Sequence, residues 1–397
     1  MSDWIDGTIG DLIQLSRGID LPEQQRRPGS VPIMGSFGVT GYHDRAARSG
    51  PGVTVGRSGG SIGVVSYTTE DYWPLNTALY VKDFKGNDPR FCYYFLKTFD
   101  LARLNSGSAQ PSLNRNFVHP VQTRFPRHDI QIKIAALLGA LDDKIDLNRR
   151  MNWTLEAMVR AIFKDWFVDF GPTRAKMAGR APYLAPEVWA LFPDLLDGGN
   201  PEGWPLSSVG KEFQLTMGQS PPGDTYNEDG DGLPFFQGRT DFGFRYPTNR
   251  KFCSSPTRLA DTDDTLVSVR APVGDLNMAR ERCCIGRGVS AARHRSAARG
   301  YTYYALQSIQ PALEAFEHTG TVFGAINKAQ FEGLEIIAPA PNVIEAFEAK
   351  ARPLDDRIRL NTQEAETLAD MRDLLLPRLM SGEIRLRDAE AMVADAA

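Results

Sequence analysis

Residues 141–148, LDDKIDLN, recur with two changes as LDDRIRLN at residues 354–361, an offset of 213 positions. The same offset relates the string VGRSGGSIG around Arg57 to SVRAPVGD around Arg270. Self-similarity at a constant offset indicates a duplicated structural unit, which has to be recognised before any local motif is interpreted. The sequence therefore predicts two copies of one fold in a single chain.

Two further pairs of strings set the length of the repeated unit. GSAQPSLNRNF matches GTVFGAINKAQF at Asn114 and Asn327, again 213 positions apart. WIDGTIGDLIQLSRG at Trp4 matches WPLSSVGKEFQLTMG at Trp204, which is 200 positions further on, so the second copy contains 13 inserted residues. Two units of roughly 170 to 200 residues account for the 397-residue chain.

Residues 141–148 lie within a helical pattern. Its apolar residues are spaced three and four apart, which is typical of long helices with coiled-coil-like faces. At ~1.5 Å per residue, about 40 residues form a rod of roughly 60 Å. The residues predicted to line the helix–helix seam and the partner interface are Ile134, Leu138, Leu141, Ile145, Asn148, Leu155, Phe347, Leu354, Ile358, Asn361, Leu368 and Leu375.

One position in each seam is polar. Asn148 and Asn361 occupy the same phase of the two copies. A buried Asn lowers stability but penalises registers in which it faces an apolar partner, so we interpret both as register-setting contacts. The alternative is a solvated Asn beside a helix break. Antiparallel packing of the two helices would place the globular parts at opposite ends, related by a pseudo-two-fold axis.

The segments that precede the helices are rich in Gly, Pro and aromatic residues and contain short β-branched runs such as GVTVG and DTLVSV. Short strands separated by turn signals predict mixed globular domains. The predicted fold class is α+β, with two tandem globular domains separated by two long antiparallel coiled-coil helices. The predicted boundaries are 1–126 for the first globular domain, 127–170 for the first long helix, 171–203 for a Pro/Gly-rich linker, 204–340 for the second globular domain, 341–380 for the second long helix and 381–397 for a C-terminal tail.

Composition excludes several classes of protein. Hydrophobic residues make up 42% and charged residues 24% of the chain, so it can bury more than one core and is not disordered. Four irregularly spaced cysteines are too few for a disulfide framework or a zinc site. The sequence shows neither a signal peptide nor an apolar run long enough to span a membrane, and we expect a cytoplasmic protein.

The formal net charge of −4 gives no whole-chain signature of nucleic-acid binding. Residues 1–128, however, contain 14 basic and 11 acidic residues, and residues 204–340 contain 14 and 15. The second globular domain also contains a cluster of arginines, a residue that can pair bidentately with phosphate or a guanine edge. The cluster consists of Arg280, Arg282, Arg287, Arg293, Arg295 and Arg299. The alternative is that these are ordinary solvated surface charges.

Two loops combine a cation with small or rigid residues at the repeat offset. The loop after Arg57 consists of Ser58, Gly59 and Gly60, and the loop after Arg270 is APVGD. Small residues allow close approach of a ligand to the backbone, although glycines serve tight turns equally well. Because the two arginines coincide at the repeat offset, we predict that both loops contact nucleic acid.

An Asn followed by a cation lies further along the chain from each loop. Asn114 precedes Arg115, and Asn327 precedes Lys328. An amide can read adenine and the cation can hold a phosphate, whereas a turn-capping Asn is the alternative. The remaining residues predicted to contact DNA are Arg239 and Arg287.

Catalytic motifs are absent from the sequence. It contains no GxxxxGK[ST], no Rossmann GxGxxG, no Asn-Pro-Pro-aromatic motif of amino-methyltransferases and no HExxH. The vicinal pair Cys283-Cys284 has no activating His nearby in the sequence. We therefore expect a non-catalytic chain that holds neither a metal ion nor a cofactor.

The order of these features resembles the specificity subunit of type I restriction–modification systems over essentially the whole chain. The strings that carry the resemblance are TIGDLIQLSRG, NTALYV, the helical run IAALLGALDDKIDLNRRMNWTLEAMVRAIFKDWFVDF, LAPEVWALFPD with PEGWP, and LLLPRLMSGEI. The order of the strings, combined with the duplication, is more specific than any one of them.

The resemblance implies that the two globular domains are target-recognition domains and that each reads one half of a bipartite DNA site. It implies that the helices set the spacer between the half-sites and bind two methyltransferase subunits. Those partners would use S-adenosylmethionine to methylate adenine at N6, and up to two restriction subunits would use ATP and Mg²⁺ to cleave DNA. No membrane partner is implied.

Two other hypotheses remain at this stage. The chain could be a duplicated coiled-coil scaffold that binds protein without sequence-specific DNA readout, or a hydrolase with an unrecognised site. The coincidence of Arg57 with Arg270 and the lack of catalytic motifs favour the DNA-specificity subunit.

Overall fold

The computed structural model describes residues 3–105, 112–318 and 324–396. Parts of the matching strings GSAQPSLNRNF and GTVFGAINKAQF lie outside the described residues. The chain divides into two compact units. The first unit consists of Met1–Arg149 and Thr362–Ala397, and the second unit consists of Arg150–Asn361.

The first unit contains three antiparallel or mixed sheets. Its strands are β1 (Trp4–Thr8), β2 (Gln14–Arg17), β3 (Val31–Gly35), β4 (Gly38–His43), β5 (Gly52–Gly56), β6 (Val65–Thr68), β7 (Trp73–Pro74), β8 (Ala78–Asp83) and β9 (Gln122–Pro126). A four-stranded antiparallel sheet has the order β2-β8-β5-β6, and a three-stranded sheet has the order β4-β3-β7, with β3 and β7 parallel. β1 pairs with β9 and so joins the two ends of the globular segment.

The second unit repeats this arrangement. Its strands are β10 (Leu196–Asp197), β11 (Asn200–Pro201), β12 (Leu206–Ser208), β13 (Phe213–Met217), β14 (Tyr226–Asn227), β15 (Leu233–Phe236), β16 (Phe252–Cys253), β17 (Leu259–Ala260), β18 (Thr265–Val269), β19 (Val273–Met278), β20 (Cys283–Ile285), β21 (Val289–His294) and β22 (Glu335–Ile337). The four-stranded sheet β13-β21-β18-β19 corresponds to the first one strand for strand. A five-stranded sheet, β14-β16-β15-β20-β17, again contains one parallel pair, β15 with β20, and β12 pairs with β22. The predicted α+β class and internal duplication are confirmed.

The helices are mostly short, apart from two. They are α1 (Ile9–Leu12), α2 (Pro89–Lys97), α3 (Arg115–Val118), α4 (His128–Phe167), α5 (Gly171–Met177), α6 (Pro186–Trp189), α7 (Val209–Glu212), α8 (Arg299–Ser308), α9 (Gln310–Glu314), α10 (Lys328–Glu332), α11 (Pro341–Ser381) and α12 (Leu386–Ala396). No helix in the described ranges is both long and apolar enough to cross a membrane.

The long helices α4 and α11 each contribute residues to both units, and they are antiparallel in each. In the first unit Arg372 Nη1 lies 2.7 Å from Asp142 Oδ1, whereas Glu364 bonds to Asn148 further along α4. The residue numbers thus rise along one helix as they fall along the other. The same holds in the second unit, where Asn361 bonds to Asn152 and Phe347 contacts Phe163.

The predicted seam is buried. Every apolar member is fully buried apart from Leu155, Leu354 and Leu368, which are half-buried. Asn148 and Asn361 are both completely buried, so the solvated alternative is wrong. Each donates its amide across the seam, to Glu364 Oε2 at 3.0 Å and to Asn152 Oδ1 at 2.9 Å respectively. A register shift would leave these buried amides without partners.

Each unit has its own core. In the first unit, Val53 and Val55 of the run GVTVG are fully buried beneath α2 aromatics, and the core extends to residues of α4, α11 and α12. Ala389 of α12 is completely buried, so the segment predicted as a tail contains a packed helix. In the second unit, aromatic residues of α4 and α8 form the centre of the core.

The linker between the two globular domains packs locally. Phe192 is buried against Trp166 of α4, and Lys176 Nζ donates to the carbonyl of Phe192 at 2.6 Å. Tyr183 donates to Asp165 Oδ2 at 2.9 Å. These contacts fix the linker to α4 within the second unit.

Candidate nucleic-acid interface

In the first unit, backbone pairing brings the two predicted motifs together. Arg57 follows directly on the buried strand β5, and its carbonyl accepts from the backbone N–H of Leu113 at 2.8 Å. Ser58 forms an isolated bridge with Ser112. The Arg57 loop and the segment that begins at Asn114 therefore lie side by side, although 57 positions separate them in the sequence.

The loop after Arg57 is open. Gly59 and Gly60 are exposed, and a Cβ atom added at either would have no neighbour within 4 Å. Gly59 has φ +75°, a conformation that side chains other than Gly seldom adopt. Gly60 does not have a positive φ, and the space around it would accommodate a side chain. Neither backbone conformation nor internal packing therefore explains why a glycine is present. The backbone here is accessible to a ligand.

Asn114 serves as a helix cap. Its side-chain oxygen accepts from the N–H of Asn116 at 3.0 Å, at the beginning of α3. This is the capping role that the sequence left as an alternative. The cap places Arg115 at the first position of α3, where its Nη1 lies 3.5 Å from Ser16 Oγ. The amide oxygen is thus engaged with the backbone, whereas the neighbouring guanidinium remains exposed.

Positive charge accumulates around this loop. Burial lowers the pKa of Arg57, and the nearby Arg17 lowers it further. Arg17, Arg57 and Arg115 make no ion pair with any carboxylate of the described residues. Arginine remains charged at any physiological pH. Three uncompensated guanidinium groups attract an anion such as a nucleic-acid phosphate.

The second unit builds the same arrangement. Arg270 follows β18 and forms an isolated bridge with Ala325, while Ile326 N–H donates to the carbonyl of Val269 at 3.1 Å. Asn327 caps α10 through a capping box with Gln330, in which both bonds measure 3.0 Å.

Lys328, the first residue of α10, pairs with Glu332 at 3.5 Å. The side chain of Arg270 is exposed and makes no hydrogen bond or ion pair within the described part of the chain. Arg270 is therefore the more available cation of the two.

The other two predicted residues lie at the same edge as Arg270. Gly288 N–H donates to the carbonyl of Gln237, and Val269 N–H donates to the carbonyl of Gly288, so the loops that carry Arg239 and Arg287 flank β18. Arg287 is exposed and its side chain has no partner among the residues described here, whereas Arg239 pairs with Asp275 at 2.5 Å.

The arginine cluster of the second domain is mainly structural. Arg293 pairs with Asp264 at 2.6 Å, and Arg299 pairs with Asp263 at 3.2 Å. Arg295 donates to backbone carbonyls that include that of Gly210 at 3.0 Å. Among the cluster members, Arg287 is the one best placed to meet a ligand.

Sequence reasoning missed an exposed apolar hairpin and a buried cation. Phe37 and Tyr42 lie on the β3–β4 hairpin and are 64% and 58% exposed, which an alternation of large and small residues in SFGVTGYH could have indicated. Arg245 is completely buried against Glu156 and Asp355. No local pattern predicts these pairs, because the partners are 89 and 110 positions away.

The cysteines are all unpaired and buried. Burial raises the pKa of Cys283 to about 12 and that of Cys284 to about 11. Both thiols therefore stay protonated at neutral pH and are poor nucleophiles.

His119, at the end of α3, makes the first unit sensitive to pH. Its Nε2 accepts from Leu15 N–H at 2.9 Å, which requires a neutral ring. Burial, and then Arg115 and Lys85, lower its pKa below 6.5. Since the unfolded chain takes up the proton at about 6.5, we expect the free energy of unfolding to fall as the pH drops from 7 towards the lowered pKa.

Urea denaturation at pH 7.0 and 5.5 measures this effect. In His119→Gln the pH-dependent loss should shrink, because an amide oxygen accepts the Leu15 bond at either pH. His128→Gln, at an exposed position, is the control and should behave like the unmodified chain. An identical loss in His119→Gln and the unmodified chain would contradict the assignment.

Two cationic loops, one in each copy of a duplicated α+β domain, suit a protein that recognises DNA. Comparison with known proteins finds similarity to DNA-specificity proteins. The family described as "Type I restriction modification DNA specificity domain" matches residues 1–157. A putative type I restriction enzyme specificity subunit of Methanocaldococcus jannaschii, MjaX, is 28% identical over 313 residues, which cover 76% of this chain and 69% of the relative. The HindI specificity subunit of Haemophilus influenzae is 26% identical over 345 residues, which cover 72% and 73%.

The fold agrees as well. The crystal structure of the type I restriction–modification S subunit from M. genitalium superimposes with a TM-score of 0.65 over 95% of this chain and 96% of that chain, at 16% identity. The chain is thus similar to type I restriction–modification specificity subunits over about three quarters of its length, and residues 1–157 match the DNA specificity domain of that family.

Proposed function

We propose that this chain is the sequence-specific DNA-recognition subunit of a type I restriction–modification complex, and that each globular domain reads one half of a bipartite target. The observation that carries the proposal is the repeated site: an arginine at a strand end lies beside a backbone-paired segment that leads, within two residues, into an Asn-capped helix with a cation at its first position. A scaffold that binds only protein has no need to build this cationic site twice.

The chemistry of the site suits DNA. A guanidinium can bond bidentately to O6 and N7 of guanine, and a bidentate contact discriminates against other bases by about 1 to 3 kcal/mol. In this arrangement Arg57 and Arg270 read bases. Arg115 and Lys328, at the starts of α3 and α10, hold phosphates and fix the position of the loop on the duplex.

The capping geometry changes the role assigned to the two asparagines. Asn114 and Asn327 use their side-chain oxygens to accept backbone N–H groups. They position the cations that follow them and do not read adenine through those oxygens. Gly60 supports direct contact, because its open surroundings let a sugar–phosphate strand approach the loop.

The partner roles follow from the same proposal. The seam of α4 and α11 sets the spacer, and the two helices dock two methyltransferase subunits. Those subunits would bind S-adenosylmethionine and methylate adenine at N6, and restriction subunits would supply ATP- and Mg²⁺-dependent cleavage. This chain then contributes recognition and no catalysis, and it acts on DNA in the cytoplasm.

A domain exchange tests the proposal. Residues 1–126 are replaced by the equivalent segment of another specificity subunit, and the chimera is expressed with its methyltransferase partner. Because β1 pairs with β9, this segment enters and leaves the unit through adjacent strands, so the junctions disturb little of the core. We expect only one half of the methylated sequence to change when modified adenines are mapped in the cells.

The matched exchange uses the segment between β12 and β22, which pair in the same way in the second unit. It should change the other half of the target and leave the first half intact. A change in both halves, or in neither, would refute modular recognition. Methylation that is indifferent to both exchanges would instead favour the scaffold.

A further inference from the structure

The acidic doublet of the repeated string LDDKIDLN attaches the first globular domain to its long helix. Tyr94 of α2 donates to Asp142 Oδ2 of α4 at 2.5 Å. Arg90, near the start of α2, forms a bidentate pair with Asp143, with distances of 2.6 and 3.0 Å. Both acids thus bind the same short helix, one through a hydroxyl and the other through a guanidinium.

A glycine makes this contact possible. Arg90 Nη2 also donates to the carbonyl of Gly139 at 3.0 Å. A Cβ atom at Gly139 would lie only 2.6 Å from Arg90 Cζ. Glycine inside an exposed helix costs about 1 kcal/mol relative to alanine, so its presence in α4 is explained by the seat that it provides for Arg90.

The second unit contains the same contacts. Tyr304 of α8 donates to Asp355 Oδ1 of α11 at 3.2 Å, and Arg299, the first residue of α8, pairs with Asp356. Here Gly300 of α8 provides the close approach, since an added Cβ would lie 3.0 Å from Asp355 Oδ2.

The aspartates and the tyrosines of the two sets correspond by position, whereas the arginine is the second residue of α2 but the first residue of α8. Asp142 and Asp143 lie 213 positions before Asp355 and Asp356, and each tyrosine is the sixth residue of its helix. We call the four residues of each unit the aspartate clamp: Arg90, Tyr94, Asp142 and Asp143 in the first, and Arg299, Tyr304, Asp355 and Asp356 in the second.

The clamps differ in a third contact. Asp142 also pairs with Arg372 of α11, so in the first unit the extra cation comes from the opposite long helix. Asp355 instead pairs with Arg245 at 3.0 Å, a residue of the second globular domain. The second domain is therefore tied to the long helices by more charged contacts than the first, since Arg245 also pairs with Glu156 of α4 and Asp263 pairs with Arg359 of α11.

We propose that the aspartate clamps are positioning sites that fix the angle of each recognition domain on its long helix and thereby determine which spacer length the subunit accepts. The proposal rests on the proposed DNA-recognition function. The clamp residues lie on α2 and α4 in the first unit and on α8 and α11 in the second. None of them belongs to the Arg57 or Arg270 loop, so they act on target choice through orientation and not through base contacts.

Charge-assisted hydrogen bonds with fixed geometry suit this role. An apolar contact between α2 and α4 would tolerate small rotations, whereas a bidentate Arg90–Asp143 pair and a short tyrosine–aspartate bond do not. Tyr94 is completely buried, so its hydroxyl has no water to replace Asp142. A domain that lost these bonds would keep its core and its reading loop but would rotate more freely on the helix.

The test uses the full chain assembled with its methyltransferase subunits. Once the target has been mapped, binding is measured on duplexes that carry both half-sites with the natural spacer or with one base pair more or less. The double variant combines Tyr94→Phe, which removes the bond to Asp142, with Asp143→Asn, which removes the charge and the bidentate geometry of the Arg90 pair; both changes preserve the side-chain volume. We expect the preference for the natural spacer to fall about fivefold, the factor that corresponds to ~1 kcal/mol.

The control variants make the same chemical changes at neighbouring residues outside the clamp. Tyr93→Phe lies beside Tyr94 on α2, and Asp146→Asn is an exposed acid of α4; neither should change the preference. Tyr304→Phe with Asp356→Asn should give a smaller loss than the first-clamp variant, because Arg245 still holds Asp355.

The outcomes are distinct. Weaker binding to all three duplexes with an unchanged spacer preference would overturn the proposal, since the clamp would then only stabilise the fold. If the double variant assembles poorly, Tyr94→Phe alone decides the question by the same ratio. Failure of the unmodified complex to prefer its mapped target would refute the DNA-recognition function itself, independently of the clamp.

Discussion

Replacing Arg245 with alanine should lower the free energy of unfolding of the second unit by about 3 to 5 kcal/mol, the penalty for leaving buried charges unpaired. The Arg245 side chain is 0% exposed, and its acidic partners Glu156 and Asp355 are 6% and 2% exposed. Its guanidinium also lies 4.0 Å from the centre of the Tyr303 ring. Removing it leaves the buried Asp355 without its paired cation, whereas Glu156 keeps its ion pair with Arg160 at 2.8 Å.

The pH dependence of this loss has a definite sign. Burial raises the pKa of Asp355, whereas Arg245 lowers it. Without Arg245 the carboxyl should take up a proton more readily, so the destabilisation measured by urea denaturation should shrink as the pH is lowered from 7.

Two sets of variants check the explanation. Arg282→Ala removes an arginine whose pair with Asp261 is 3.7 Å long and exposed on both sides, and it should change stability by no more than about 0.5 kcal/mol. Asp355→Asn in an Arg245→Met background removes the carboxylate that has lost its cation and should recover part of the loss. A loss for Arg245→Ala as small as that for Arg282→Ala would show that the cluster does not hold the unit together.

The second large effect concerns DNA. Arg57→Ala and Arg270→Ala should each weaken binding of the assembled complex to its target by ~1 to 3 kcal/mol, or roughly 5- to 150-fold, if the arginine reads a base. The relaxation of specificity should be confined to one half-site, and a different half-site for each variant. Fluorescence anisotropy at a fixed salt concentration measures both affinity and base preference.

Matched controls lie at the other end of each sheet. Lys82 is an exposed cation near the end of β8, about 17 Å along the chain from Thr77, whose carbonyl accepts from Arg57 N–H. Lys211 precedes β13 in the second unit and is likewise exposed. Alanine at either position should leave binding unchanged. Equal losses for Lys82→Ala and Arg57→Ala would indicate a general charge effect and no base contact.

Periodic and repeated features could be predicted from the sequence. The spacing of apolar residues predicted both long helices, and the constant offset predicted the strand-for-strand duplication. These features can be recognised because a helix face and a repeat both appear as regular spacings of residues in the sequence itself. The burial of Asn148 and Asn361 could be predicted because both lie at the same position of the apolar repeat in the two helices.

Contacts between distant segments were not predictable in the same way. Arg293 and Arg299 form an arginine-rich stretch in the sequence, but their acids lie about 30 to 60 positions away and convert them into internal pairs. Asn114 and Asn327 show the converse case, because a cap and a base-reading amide have the same local sequence and differ only in where the backbone turns. The clamp acids have no local sequence signal either, because their partners on α2 and α8 lie about 50 positions away.

The bond between Asn361 and Asn152 has an implication for the ancestry of the chain. Asn361 is the counterpart of Asn148, so a single repeat already contains both partners, Asn148 and Asn152, on one helix. Two copies of an unfused, single-repeat chain would have the side chains to form this bond twice across an antiparallel dimer. In this chain only one of the two bonds joins two asparagines: the position that corresponds to Asn152 is Ala365, and the adjacent Glu364 receives the amide of Asn148 instead. Two repeats within one chain can differ at such equivalent contacts, which a symmetric dimer of identical chains cannot do.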